Sequence, residues 1–322
     1  MHDPKASGLV KAAATIKDQQ MLDLSLMSKW FKQNFGENEL KLAGVCIGMA
    51  DGVPAYVHHV RMLAEFLNPN LADDAFENLA AAYLYLCAAY YSVDALHDGQ
   101  KATAPNSPGY GTPSDVARLT LACSQRLIGF EKSTNVVDDE NIQKVLSETL
   151  AEAARALEEE HFFRSSDHIV FNSKDEFFHL WARSNPFIFL ADALSRSANS
   201  TLDQVLRRQL ENFLYLTQLG DDLTDWREDY ANSNWTPFLR KCRARIGHTP
   251  SIEELEKAIL LNGLWEEELS CVISGLSNIA GELKDPEHNL FRSAITRRVN
   301  MAVERLTEFA RIKAGSTTHA EG

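Results

Sequence analysis

The 322-residue sequence predicts an all-α fold, a single large helical bundle, on three observations. Apolar residues recur at three- and four-residue spacing almost throughout, the period of a helix with one buried face. No stretch of useful length alternates apolar and polar residues as a half-buried strand would, and no glycine-rich phosphate loop or internal repeat interrupts the pattern. The breaks between periodic runs carry helix-start and turn chemistry: NPN at 68–70, APNSPGYGTPSD at 104–115 and TPSIEEL at 249–255.

Taken in order, the first helical run is MLDLSLMSKWF at 21–31, followed by YVHHVRMLAEFL at 56–67. LAAAYLYLCAAYYSV at 79–93 is nearly all apolar, which predicts a helix buried on every side. Asp94 closes that run well short of the about 20 residues a membrane span requires, so no transmembrane segment is expected. VARLTLACSQRLIGF (116–130) and NIQKVLSETLAEAARAL (141–157) come next, then FFHLWARSNPFIFLADAL (177–194) and VLRRQLENFLYLTQL (205–219). FRSAITRRVNMAVERLTEFARI (291–312) is the last, and connections of this size imply about ten to twelve helices. Nothing in the composition of the longest polar interruption, 99–115, marks a linker. One domain is therefore expected over 1–314, with GSTTHAEG at 315–322 as a disordered tail.

With 45% apolar and 24% charged residues the chain can bury a substantial core. A net charge of −13 disfavours a nucleic-acid partner, which would need clustered lysine and arginine. The five cysteines (46, 87, 123, 242, 271) are scattered with no CxxC pair and read as small core hydrophobes in a reducing compartment. The N-terminus lacks the basic-then-apolar layout of a signal peptide, and a cytoplasmic protein is expected.

Against this background QLGDDLTDWRED at 218–229 is unusual. At about 100° per residue, Asp221, Asp225 and Asp229 advance by about 40° each, with Glu228 beside them and Asp222 toward the Asp229 side of the same arc, so all five are expected to share about a third of the helix surface. Like charges one turn apart are destabilising unless cations offset them. Mg²⁺ suits the donor set, because it is a hard ion that takes carboxylate oxygens and keeps positions for water and phosphate. A second pair, Asp94 and Asp98, closes the buried run 79–93, at a helix end where the dipole disfavours anions. Either cluster alone reads as readily as a solvated helix end. Two acidic ends with Mg²⁺ between them would make a receptor for a diphosphate, the metal easing departure of the leaving group.

At these residues the chain resembles the class I isoprenoid synthases: trans-prenyltransferases, squalene and phytoene synthases, and class I terpene cyclases. Asp94-Ala95-Leu96-His97-Asp98 stands where that superfamily has DDxxD, with alanine for the second aspartate, and equally fits the DxxxD of the head-to-head synthases. Asp221-Asp222-Leu223-Thr224-Asp225 looks like a second DDxxD, Gln218-Leu219 with Asp225 and Asp229 matches QLxxxxxDxxxD, and Asp221, Asp225 and Asp229 share the spacing of the cyclases' second metal motif. The resemblance implies a helical bundle around an apolar pocket, with three Mg²⁺ ions held by Asp94, Asp98, Asp221, Asp222, Asp225 and Asp229. Asp94, Asp98, Asp221 and Asp225 are the expected catalytic core. Arg183, Arg227, Arg297 and Arg298 are candidates for contacting the diphosphate, though Arg183 reads equally as an exposed helical charge and each of the other three, taken alone, reads first as a surface charge. Tyr91 and Trp226 are candidates for lining the substrate pocket. Many members are dimers, so the resemblance admits a homodimer.

Two departures bear on the reaction. The basic segment that holds a second diphosphate in chain-elongating members falls here at Asp51-Gly52-Val53-Pro54-Ala55-Tyr56, with no lysine or arginine. The arginine pair after the first motif is also missing, 99–113 reading GQKATAPNSPGYGTP. A terpene synthase that ionises one linear prenyl diphosphate and cyclises or quenches the cation is the first expectation. A prenyltransferase coupling the cation to a second acceptor stands close behind it. A non-catalytic subunit of a prenyl synthase is the third, with Ala95 in its favour.

Overall fold

Helix-start chemistry read from the sequence lands where helices begin. In the computed structural model, which describes residues 49–50, 53–97, 112–134, 142–164, 173–182, 184–283 and 289–318, Thr112 opens a helix at Pro113. Its hydroxyl bonds the Asp115 carboxylate at 2.6 Å and accepts the Asp115 N–H at 3.2 Å. Asp203 caps another by accepting from the N–H groups of Val205 and Leu206. Ser251 and Glu254 bond each other's backbone N–H groups in a reciprocal capping box. The expected run at 21–31 and Cys46 lie outside the described residues.

The elements are a two-residue antiparallel pair, β1 (Met49–Ala50) and β2 (Val53–Pro54), then α1 (Ala55–Leu67), α2 (Asp73–His97) and α3 (Pro113–Thr134). They continue with α4 (Ile142–Arg164), α5 (Ser173–Ala182), α6 (Asn185–Ser197), α7 (Gln204–Ala231) and α8 (Pro237–Ile246). α9 (Ile252–Glu256) runs into a π-helical turn, Lys257–Leu261, before α10 (Leu264–Glu282) and α11 (Asn289–Thr318). The expected all-α class is therefore observed, and the two-residue β pair adds no layer. Among the described residues no helix is long and apolar enough to cross a membrane.

Contacts gather the chain, read from composition as one domain, into two compact units: Met1–Arg61 with Leu71–Asn135, and Met62–Asn70 with Val136–Gly322. In the first, α2 is buried along consecutive residues from Leu79 to Leu84, whereas Tyr91, inside the run 79–93 expected to be buried on every side, is 44% exposed. α3 approaches it closely at Gly129, where a Cβ would stand 2.7 Å from Asn78 Oδ1. The second unit is built around α6, buried from Asn185 to Ala191, and α7. Phe187 of α6, Phe213 of α7 and Phe291 of α11 meet ring to ring, with Phe213 and Phe291 edge-on at 5.3 Å between centroids.

α10 packs on α7 through Gly275, where a Cβ would lie 2.6 Å from Leu216 Cδ1 and 3.0 Å from Cδ2. Gly275→Ala forces that half-buried leucine aside at the contact between the two helices. Loss of about 1–3 kcal/mol is expected, read as a lower denaturation midpoint. Helix propensity alone would make the same change stabilising, so the sign of the shift tests the packing.

α11 continues through Thr318, although GSTT reads as tail. Once a helix is nucleated, each added residue gains a hydrogen bond at small cost, so a polar segment can extend it. Residues 319–322 lie outside the description. Cys87, Cys123 and Cys242 are buried free thiols and Cys271 is exposed. Burial pushes the Cys123 and Cys242 thiols up to about 12, with Glu268 adding to the effect at Cys242, so both are neutral core groups.

Candidate functional site

The second half of α7 carries two faces. Leu219, Asp222, Leu223 and Trp226 are buried, an i, i+3, i+4, i+7 stripe that turns this side toward α10. Trp265 of α10 donates its indole N–H to the Leu223 carbonyl at 3.0 Å. The opposite side presents Asp221, Asp225 and Glu228, all exposed, with Asp229 half-buried. Asp222 therefore stands apart from the other four carboxylates. It is only 4% exposed and accepts from Gln218 Nε2 at 3.2 Å. Its place at the edge of the acidic arc is also its place on the core stripe.

α11 brings cations to this face. A three- and four-residue spacing runs through 291, 295, 298, 302, 305 and 309, where Phe291, Ile295 and Ala302 are buried and Phe309 packs on Trp265 at 4.8 Å. Arg298 and Arg305 occupy two positions of the same stripe. The Arg298 guanidinium sits 5.7 Å from the Phe213 ring centre. Although the residue as a whole is exposed, crowding of that guanidinium by protein holds its pKa below the ordinary arginine value. The Asp221 charge opposes the shift and Arg297 reinforces it. An arginine stays charged under all ordinary conditions, so Arg298 and Asp221 stabilise one another. Two turns on, Arg305 Nη1 donates to Thr224 Oγ1 at 2.8 Å, and that hydroxyl donates to the Gly220 carbonyl at 3.0 Å.

The other expected residues distribute as follows. Arg227 is engaged by Glu256 at 3.1 Å, with both side chains largely in solvent, and its guanidinium lies 4.5 Å from the ring of Trp226. Trp226 is 3% exposed and part of the core stripe. Arg297 is exposed. Tyr91 is 44% exposed on α2. Asp94 lies on the last turn of α2, its side chain outside the described set, and Asp98 and Arg183 lie outside the described residues altogether. Asp221, Asp225 and Asp229 thus lie along one side of α7, and the Arg298 charge acts on Asp221. Sequence reading missed Arg305 and Asn234, which donates Nδ2–H to Asp229 Oδ1 at 2.6 Å. The three- and four-residue spacing from 291 to 309 is a signal that could have found Arg305.

Among the described residues no three His, Cys, Asp or Glu side chains already converge on one point as a metal group. The donor chemistry nevertheless fits a hard divalent cation. Asp221 and Asp225 are exposed carboxylates one turn apart, and Asp225 makes no hydrogen bond or ion pair among the described residues.

No family model and no curated protein matches the sequence. Solved structures do. An octaprenyl pyrophosphate synthase from Helicobacter pylori superposes with a TM-score of 0.60 at 15% identity, over 88% of this chain and 98% of that one. The fold is that of the isoprenoid synthases. A decaprenyl diphosphate synthase from Rhodobacter capsulatus (TM-score 0.56, 15% identity, 94% and 98% covered) has it too. So does a heptaprenyl diphosphate synthase from Staphylococcus aureus (0.53, 14%, 86% and 91%). At such identities the likeness concerns the isoprenoid synthase fold, and the chemistry rests on the residues of this chain.

Proposed function

We propose that this chain is a Mg²⁺-dependent prenyltransferase that takes the prenyl group of a prenyl diphosphate to a second acceptor and releases diphosphate. The observation that carries the reading is the exposed pair Asp221 and Asp225, one turn apart on α7, with the Arg298 charge acting on Asp221, in a chain whose solved counterparts are named prenyl diphosphate synthases. That company favours transfer over the cyclisation that the sequence alone ranks first. In this reading Asp221, Asp225 and Asp229 are metal ligands on α7, with Asp222 supporting them from the core side, and Asp94 and Asp98 are metal ligands as the first motif implies. Bound Mg²⁺ would supply Lewis-acid stabilisation of the leaving diphosphate. Arg298 supplies a fixed positive charge for the diphosphate, with Arg183 and Arg297 as further contacts, and Arg227 joins them when it leaves Glu256. The C–O bond breaks with its electron pair on the diphosphate, the allylic cation bonds to the acceptor, and a proton is lost from the adduct. The protein's part is to exclude water and orient the two partners.

The segment 51–56 has no lysine or arginine, so the acceptor is one that needs no basic clamp for a second diphosphate there: a head-to-head partner or a non-standard acceptor. The same observation favours a second reading, cyclisation of a single substrate. Incubation with C10, C15 and C20 prenyl diphosphates and Mg²⁺, singly, in pairs and with isopentenyl diphosphate, tests both. Coupled products, or release of diphosphate that requires an added acceptor, support transfer. A cyclic or hydroxylated product from one substrate supports cyclisation, and a product longer by one five-carbon unit overturns the argument from 51–56. Absence of diphosphate release in every arm marks a non-catalytic subunit.

A further inference from the structure

α7 ends in a Schellman motif. Ser233 takes a positive φ of 56° and its N–H bonds the Tyr230 carbonyl at 3.0 Å, while the N–H of Asn234 reaches back to the Asp229 carbonyl at 2.7 Å. The motif folds residue 234 over residue 229, two positions that commonly make an apolar contact. Here they hold an amide and a carboxylate, joined by the short bond from Nδ2–H to Asp229 Oδ1. The opposite amide orientation would set two oxygens against each other at that distance, so the donor faces Asp229.

This side-chain link is not required by the turn. α6 ends in the same motif at Asn199, with φ of 55°, its N–H on the Arg196 carbonyl and the Ser200 N–H on the Ser195 carbonyl. There the two side chains bond elsewhere, Ser195 Oγ to the Ala191 carbonyl and Ser200 Oγ to the Thr201 carbonyl. Nor is Asn234 placed to satisfy itself. Its Oδ1 is buried without a hydrogen-bond partner among the described residues. The amide serves Asp229 at the expense of its own oxygen, an arrangement that stability alone does not favour.

We propose that Asn234 is a positioning residue, fixing the plane of the Asp229 carboxylate so that it meets a divalent cation together with Asp221 and Asp225. The inference rests on the reading of α7 as a metal-holding helix. Outer partners that orient ligating carboxylates typically change metal affinity by about 10–100-fold when removed.

The test uses the full chain with Mn²⁺ as the probe, its binding followed by electron paramagnetic resonance in the presence of inorganic pyrophosphate, beside thermal unfolding without metal. Asn234→Ala is expected to weaken Mn²⁺ binding at least about tenfold. Ser233→Gly relieves the left-handed backbone without touching the carboxylate, so it raises the metal-free unfolding midpoint and keeps Mn²⁺ affinity. The double substitution regains stability but stays weak for Mn²⁺. If it binds Mn²⁺ as tightly as Ser233→Gly alone, Asn234 only shapes the helix end and the inference falls while the metal reading stands. If Asp225→Ala also binds as wild type does, or wild type binds none, the metal reading falls and takes this inference with it.

Discussion

Under the proposed reaction, Asp225→Ala is expected to lower diphosphate release by at least about 100-fold, because stabilisation of a departing anion by a bound metal is worth several kcal/mol and each 1.4 kcal/mol is about tenfold in rate. The unfolding midpoint stays in place or rises slightly. Asp225 is exposed on α7 and makes no bond among the described residues, so its removal exposes no partner and relieves repulsion from Asp221 one turn earlier. Steady-state release of diphosphate and a thermal melt on the same preparation check both halves. Equal loss of activity and stability would mean that Asp225 belongs to the scaffold. Unchanged release would remove the basis for the proposed reaction.

Phe291→Ala should cost about 3–5 kcal/mol of stability, the range for deleting a buried phenylalanine. Phe291 is 0% exposed at the start of α11 and contacts Phe213 of α7 and Phe187 of α6. The second consequence is functional. The Arg298 guanidinium rests against the same Phe213 ring, so a cavity beneath that ring loosens the cation beside Asp221. At a temperature where the variant is folded, weaker inhibition by inorganic pyrophosphate is expected, together with a denaturant midpoint shifted down by the lost packing. Phe291→Leu retains most of the apolar volume and should recover much of both. A variant that loses stability while binding pyrophosphate as wild type does would separate Arg298 from the anion.

The helices were legible because burial of one face imposes a three- to four-residue period, and because caps such as Thr112 and Ser251, in the breaks 104–115 and 249–255, need particular side chains. The concentration of aspartates at 221–229 was legible for a related reason, since uncompensated like charge has no structural use. Asp222 shows where such reading stops short. Placed on an ideal helix it joins the acidic arc, yet Leu219, Leu223 and Trp226 set the phase of α7 against α10 and carry Asp222 inward. That signal lay in the neighbouring residues rather than in the motif. Arg227 is a similar case: its position beside the aspartates is local, but its pairing with Glu256 depends on a residue from another helix.

The sequence by itself determined the all-helical class and the clustering of carboxylates on one stretch, since both follow from spacing along a single chain. Only the tertiary structure decided which carboxylates of α7 face solvent, that α11 sets the Arg298 charge against Asp221 and Arg305 on Thr224, and that Asn234 holds Asp229. Those outcomes depend on the rotational phase of one helix against another and on a left-handed turn at Ser233. Packing energy summed over many residues sets such phases, and no local pattern encodes that sum.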